Sequence, residues 1–137
     1  MSKYIVDPQL VTDILDAKSE AAARANALIE AHRGDDLILA PTSYVALSSA
    51  FMGIRSMQDR FLENLGIKVA KTASGKVMDA AYSAWSRYRQ DNPGDAEGPG
   101  IFESLYIGAY ALLYDGLLTR QGHLYRKYFE TLTVLEP

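Results

Sequence analysis

Apolar residues along this chain fall into short continuous runs that alternate with helical spacings. Tyr4-Ile5-Val6 is a compact β-prone run that stops at Asp7-Pro8. It reads as a strand leading into a helix, because the missing N–H of proline goes unused in a first helical turn. Leu10, Val11, Ile14 and Leu15 then repeat at helical spacing. The alanine-rich segment 20–33, stopped by Gly34, predicts a second helix, and Leu37-Ile38-Leu39 predicts a second strand. Helices are expected next over 41–52, behind Pro41 and closed by Gly53, and over 56–65. There Ser56 and Asp59 have the spacing of a capping box and Gly66 supplies the stop.

Ile67-Lys68-Val69 predicts a third strand. The helix expected over 74–89 carries Val77, Ala81, Ala84, Trp85 and Tyr88 on one face. Residues 91–100 (DNPGDAEGPG) hold the one dense cluster of Pro and Gly and read as an exposed loop. A helix over 101–114, a strand at Leu117-Leu118-Thr119, a short helix over 124–129 and a last strand over 132–135 complete the pattern. Strands alternating with helices predict an α/β fold. We expect one domain over 1–137, with a mostly parallel sheet of about four or five strands covered on both faces.

Composition narrows the function classes. The chain has 137 residues, 48% hydrophobic and 23% charged, enough apolar content for a single core. The absence of cysteine excludes a disulfide framework, thiolate-bound zinc, iron–sulfur chemistry and a cysteine nucleophile. With 14 basic and 17 acidic residues the net charge is −3, which argues against coating nucleic acid through bulk charge and leaves room only for a local basic patch. The first residues turn polar too early for a secretory signal core. The most apolar run, Leu105 to Tyr114, contains Gly108 and is about half a membrane span. A soluble cytoplasmic protein without membrane contact is expected.

Ligands of open α/β sheets bind beyond the carboxyl ends of the strands. The pattern puts Asp7, Thr42 and Gln121 there, with Glu103 and Ser104 in the first turn of the helix that follows the Gly-rich loop. Carboxylates at such a point suit Mg²⁺, which takes oxygen ligands; the pattern alone favours Asp7 as a helix cap, since a strand–Asp–Pro–helix start needs no function. Lys76 after Gly75 lacks the first glycine and the Ser/Thr of a phosphate loop. His32 stands at a helix C-terminus and His123 in a loop near the expected cleft. Tyr106, Tyr110 and Tyr114 share one helix face. That spacing suits core or interface packing better than a platform for bases. Arg87, Arg89, Arg120, Arg126 and Lys127 could touch phosphates, but in a chain of net charge −3 they are expected to balance neighbouring carboxylates on a solvated face.

Five segments in register carry a resemblance: Tyr4-Ile-Val-Asp7, Ala40-Pro-Thr-Ser-Tyr-Val-Ala-Leu47, Ile107-Gly-Ala-Tyr-Ala111, Leu117-Leu-Thr-Arg-Gln121 and Val134-Leu-Glu-Pro137. Their order and spacing, across essentially the whole chain, resemble a PIN domain, the fold of VapC-type toxin ribonucleases. The resemblance implies an acidic cluster that holds Mg²⁺ or Mn²⁺ for RNA hydrolysis, a homodimer and an antitoxin-like protein partner. Its acidic positions fall on Asp7, Ala46, Ser104 (with Glu103 beside it) and Gln121, so only Asp7 is acidic in register. Pro8 and Gln9 replace the small hydroxyl residue and Asn that usually follow that Asp.

Two like charges about 4 Å apart repel by roughly 4 kcal/mol at an effective dielectric of 20, so a carboxylate cluster and its dication need each other. Metal-assisted hydrolysis also needs the ion to activate water and stabilise charge on the phosphate. The expectation is a PIN-like protein with a degenerate active site, catalytically impaired and acting by binding a partner protein or RNA, with no cofactor. The alternative is an active Mg²⁺- or Mn²⁺-dependent endoribonuclease that uses Asp7 and Glu103 as catalytic and metal-binding residues.

Overall fold

The computed structural model describes residues 1–71, 74–94 and 99–137. The chain runs β1 (Lys3–Val6), α1 (Pro8–Leu15), α2 (Glu20–Ala31), β2 (Asp36–Leu39) and α3 (Pro41–Ala46). A 3₁₀ turn over Leu47–Phe51 leads into α4 (Arg55–Leu65), β3 (Ile67–Val69) and α5 (Gly75–Asp91). Then come α6 (Pro99–Ala111), β4 (Gly116–Leu118), α7 (Gly122–Tyr128) and β5 (Val134–Leu135). The five strands form one sheet in the order β3-β2-β1-β4-β5, and every neighbouring pair is parallel. This is the predicted α/β architecture.

β1 sits at the centre, with Ile5 opposite Ile38 of β2 on one side and Leu117 of β4 on the other. A parallel strand covered on both faces must be apolar on both, and alternation then splits the core in two. Ile5 and Leu117 pack with Tyr110, Tyr125 and the helices α5, α6 and α7. Val6 and Leu118 point the other way, onto Leu10, Ile29 and Leu62 of α1, α2 and α4. The tyrosine stripe belongs to the first half: Tyr110 is buried, its ring stacked between Tyr106 at 6.2 Å and Tyr114 at 5.6 Å. Packing, and not base stacking, occupies that face.

Several boundaries differ from the pattern-based expectation. The helix predicted over 41–52 ends at Ala46 and tightens into the 3₁₀ turn, which closes with Met52 and Gly53 both at positive φ. The Ser56–Asp59 capping box does not form. α4 starts at Arg55 behind Ile54 with no side-chain cap, because Asp59 is taken by the Tyr44 hydroxyl, which also accepts from Arg55 Nε at 2.9 Å. Helix α6 begins at Pro99, two residues earlier than expected, and stops at Ala111. The last strand is confined to Val134–Leu135, since Leu132 N turns back to the Phe129 carbonyl at 3.0 Å. Residues 95–98 of the predicted loop lie outside the described residues.

Gly116 sets the spacing of β4 against its neighbours. A Cβ there would stand 2.7 Å from the Thr133 carbonyl oxygen and 3.3 Å from the Tyr4 ring. Because the nearer obstacle is backbone, Gly116→Ala is expected to lower stability by about 1–3 kcal/mol, read as a fall in the urea midpoint at unchanged slope.

Candidate functional site

The carboxyl ends of β1 and β4 lie side by side, tied by Asp7 N donating to the Leu118 carbonyl at 2.9 Å. Asp7 leaves the strand in extended conformation and becomes the N-cap of α1, where a short acceptor side chain satisfies an otherwise unpaired N–H. Its Oδ1 accepts from Gln9 N at 3.0 Å and its Oδ2 from the Thr119 hydroxyl at 2.6 Å. Thr119 is itself fully buried and accepts from Gln121 N at 3.0 Å. Asp7 is only 4% exposed. Burial pushes its pKa up, against the hydrogen bonds from Thr119 and Gln9 and the charge of Arg120. Arg120 does not reach Asp7 directly; its Nε donates to Asp13 at 2.7 Å.

Above this junction lies a cleft of about 530 Å³. Asp7, Gln9, Ala46, Glu103, Ser104 and Gln121 all line it, between apolar walls that include Leu47, Ile101 and Ile107. Glu103 and Ser104, successive residues of α6, both line the cleft. Glu103 Oε1 is buried without a hydrogen-bond partner, as is Gln9 Oε1. The Glu103 carboxyl is pushed up in pKa by its own burial first and by the charge of Asp7 second. The two acids therefore sense each other. Among the described residues, no group of three or more His, Cys, Asp or Glu side chains is placed to hold a metal ion.

Sequence reasoning located five of these walls, Asp7, Ala46, Glu103, Ser104 and Gln121, and missed three supports. Thr119 reads as a strand end, Gln9 as a departure from a motif and Tyr125 as a helix residue. The Tyr125 ring is fully buried, and its hydroxyl, pushed far up in pKa by burial, lies near Asp7, Ser104 and Glu103. Gln9 meets Asp7 locally, two residues on, whereas Thr119 is brought to it only by the pairing of β1 with β4 and Tyr125 only by the packing of α7. Thr42, expected at the same strand-end cleft, instead lines a neighbouring apolar groove with Trp85. His123 is exposed on α7 and is not among the residues lining the cleft. His32 terminates α2, its Nδ1 3.2 Å from Asp35. Arg126 pairs with Glu136, as expected of a solvated face.

No family model matches this sequence, and no curated protein does. Among solved structures, a chain of the crystal structure of VapBC2 from Rickettsia felis, bound to a DNA fragment from their promoter, superposes with a TM-score of 0.68 at 13% identity, covering 98% of each chain. The fold is PIN-like and VapC-like. In the PIN-like frame the expected acidic positions Asp7, Ala46, Ser104 and Gln121 do converge on one cleft, although they are separated by most of the chain. No helix among the described residues is long and apolar enough to cross a membrane.

The folded chain binds the Asp7 proton more tightly than the unfolded chain, because its pKa is raised above 3.8. That stabilisation is fully present below the unfolded value and is lost as pH rises through the folded one. Asp7→Asn keeps an N-cap acceptor without the charge. We expect its Tm to exceed that of the parent at about pH 8, with the gap closing by about pH 3; a parent that is the more stable at the higher pH would contradict the assignment.

Proposed function

We propose that this is a VapC-like protein whose cleft binds a partner and whose nuclease chemistry is impaired. The observation that carries the reading is the composition of the cleft: two carboxylates, Asp7 and Glu103, with Ala46, Ser104 and Gln121 on the remaining walls. Mg²⁺ sheds its hydration water reluctantly and needs concentrated negative charge to stay bound. Here Asp7 already accepts from Thr119 and Gln9, and Glu103 is biased toward its neutral form by burial and by Asp7. A methyl, a hydroxyl and a carboxamide add no charge. This donor set falls short of a cluster that would hold a catalytic dication.

The partner this reading favours is a small antitoxin-type protein, in line with the VapBC2 neighbour, which is named as a toxin–antitoxin pair bound to DNA. RNA is the other ligand such a cleft would take, and the working unit is a homodimer. One observation favours the second reading, an Mg²⁺- or Mn²⁺-dependent endoribonuclease. Glu103 Oε1 and Gln9 Oε1 are buried acceptors without partners, and with Asp7 they are the ligands available to an ion. An ion held there would supply water activation and charge stabilisation.

Calorimetry with Mn²⁺ separates the readings. The parent is expected to bind more weakly than micromolar and to cleave RNA no faster than Asp7→Ala. Micromolar binding that disappears in Asp7→Ala would establish the second reading. Restoring the acids in the triple variant Ala46→Glu, Ser104→Asp, Gln121→Asp is expected to raise Mn²⁺ affinity by about tenfold or more per added carboxylate. A charge pair at 4 Å is worth about 4 kcal/mol at a dielectric of 20, and 1.4 kcal/mol is already tenfold.

A further inference from the structure

Ala80, Ser83 and Arg87 recur at helical spacing along one flank of α5 and line a hollow of about 450 Å³. Its other walls are Leu112, just past α6, and the end of α7 with the turn that follows it, residues 127–131. None of these residues lines the cleft. Two cations from different elements, Arg87 and Lys127, share the hollow with one carboxylate, Glu130. It is therefore net positive in a chain whose net charge is −3.

Tyr128 holds both cations. Its carbonyl accepts from Arg87 Nη2 at 2.6 Å, and its ring centroid is 5.5 Å from the Lys127 ammonium. Arg120 and Arg126 pair with carboxylates, Asp13 and Glu136. Arg87 instead donates to a neutral carbonyl, which fixes the guanidinium without cancelling its charge and engages only one of its donors. Lys127 stands 3.9 Å from Asp91 Oδ2, an oxygen that already accepts from the Tyr128 hydroxyl at 2.9 Å. An exposed pair that long holds the ammonium weakly. Free carbonyls at the end of a helix repel an anion; here Arg87 covers the Tyr128 carbonyl, and Arg126 and Lys127 stand in the last turn.

A fixed guanidinium, a loosely paired ammonium and the hydroxyls of Ser83 and Thr131 form a donor set suited to a tetrahedral oxyanion. We propose that this hollow binds a phosphate group, with Arg87 and Lys127 supplying the charge and Ser83 and Thr131 the neutral hydrogen bonds. Its volume falls within the roughly 300–1,000 Å³ of small-molecule sites, which leaves room for the nucleoside or the RNA backbone that carries the phosphate.

NMR of the nitrogen-labelled chain tests this, with inorganic phosphate titrated at constant ionic strength against chloride. Saturable shifts are expected for the Arg87 side-chain Nε–H and the backbone amides of 127–131, and chloride should not reproduce them. Lys127→Gln leaves the Arg87–Tyr128 bond alone and should weaken phosphate about tenfold, the scale of one hydrogen bond to a charged group. Arg87→Lys keeps a charge and a donor for the Tyr128 carbonyl but loses the planar fork. It should weaken phosphate with unchanged far-UV circular dichroism, whereas a residue that only caps α7 would leave phosphate binding as it was. Adenosine monophosphate and a short single-stranded RNA are then titrated on the same resonances. Tighter binding of the first assigns the phosphate to a free nucleotide, and of the second to a nucleic-acid backbone; either supports the site. Shifts matched by chloride, or saturation unchanged in both Lys127→Gln and Arg87→Lys, overturn it. Since no residue of the hollow lines the cleft, failure here leaves the reading of the metal site to its own test.

Discussion

A carboxylate buried at the end of the central strand constrains the rest of the site. Asp7 follows β1, which is paired on both sides, so its backbone has no freedom to move the charge toward solvent. It must cap α1 with one oxygen and can satisfy the other only through Thr119, which the β1–β4 register brings alongside. Removing a carboxylate from water without a paired cation is costly, and the nearest guanidinium, on Arg120, is committed to Asp13. A capping role alone would be served as well by Asn or Ser.

The remaining walls follow from that charge. Glu103 sits half-buried across the cleft and feels Asp7 through a medium that screens poorly, which pushes it toward its neutral form. Ser104, Gln121 and the Tyr125 hydroxyl add polarity without charge, and Ala46 adds neither. The outcome is a pocket with acceptors to offer but little charge density. Under the proposed reading such a pocket meets a partner's donors and does not capture a strongly hydrated ion. The aromatic groove next door shares Ala46 and Glu103 with the cleft, so a polar and an apolar hollow lie side by side.

How much of this the chain announces depends on whether the signal is local. The strand–Asp–Pro–helix start is local, and so are the glycine stops, which is why Asp7, Gln121 and the helix carrying Glu103 and Ser104 could be placed at strand ends and helix starts. Whether Glu103 or Ser104 faced the cleft was not legible, because one residue rotates a side chain by about 100° on a helix; the structure answers with both. Thr119 acquires its role only from the parallel pairing of β1 with β4, and Tyr125 only from the packing of α7 into the core. The Ser56–Asp59 spacing was a local signal overridden by a tertiary one, the Tyr44 hydroxyl reaching Asp59. The groove escaped notice for a related reason. The pattern on α5 identifies the face carrying Val77 and Ala84 as core, and says nothing of Met78 and Tyr82 on the side that the fold leaves uncovered.

The most direct probe is a carbon-detected NMR titration of the Asp7 and Glu103 carboxyls, run with and without millimolar Mg²⁺. A charge-poor cleft predicts that both titrate above the ordinary carboxylate range, that Glu103 falls back toward it in Asp7→Asn, and that Mg²⁺ leaves both curves in place. Carboxyls already ionised well below that range, or driven there together by Mg²⁺, would mean that the cleft is a working metal centre.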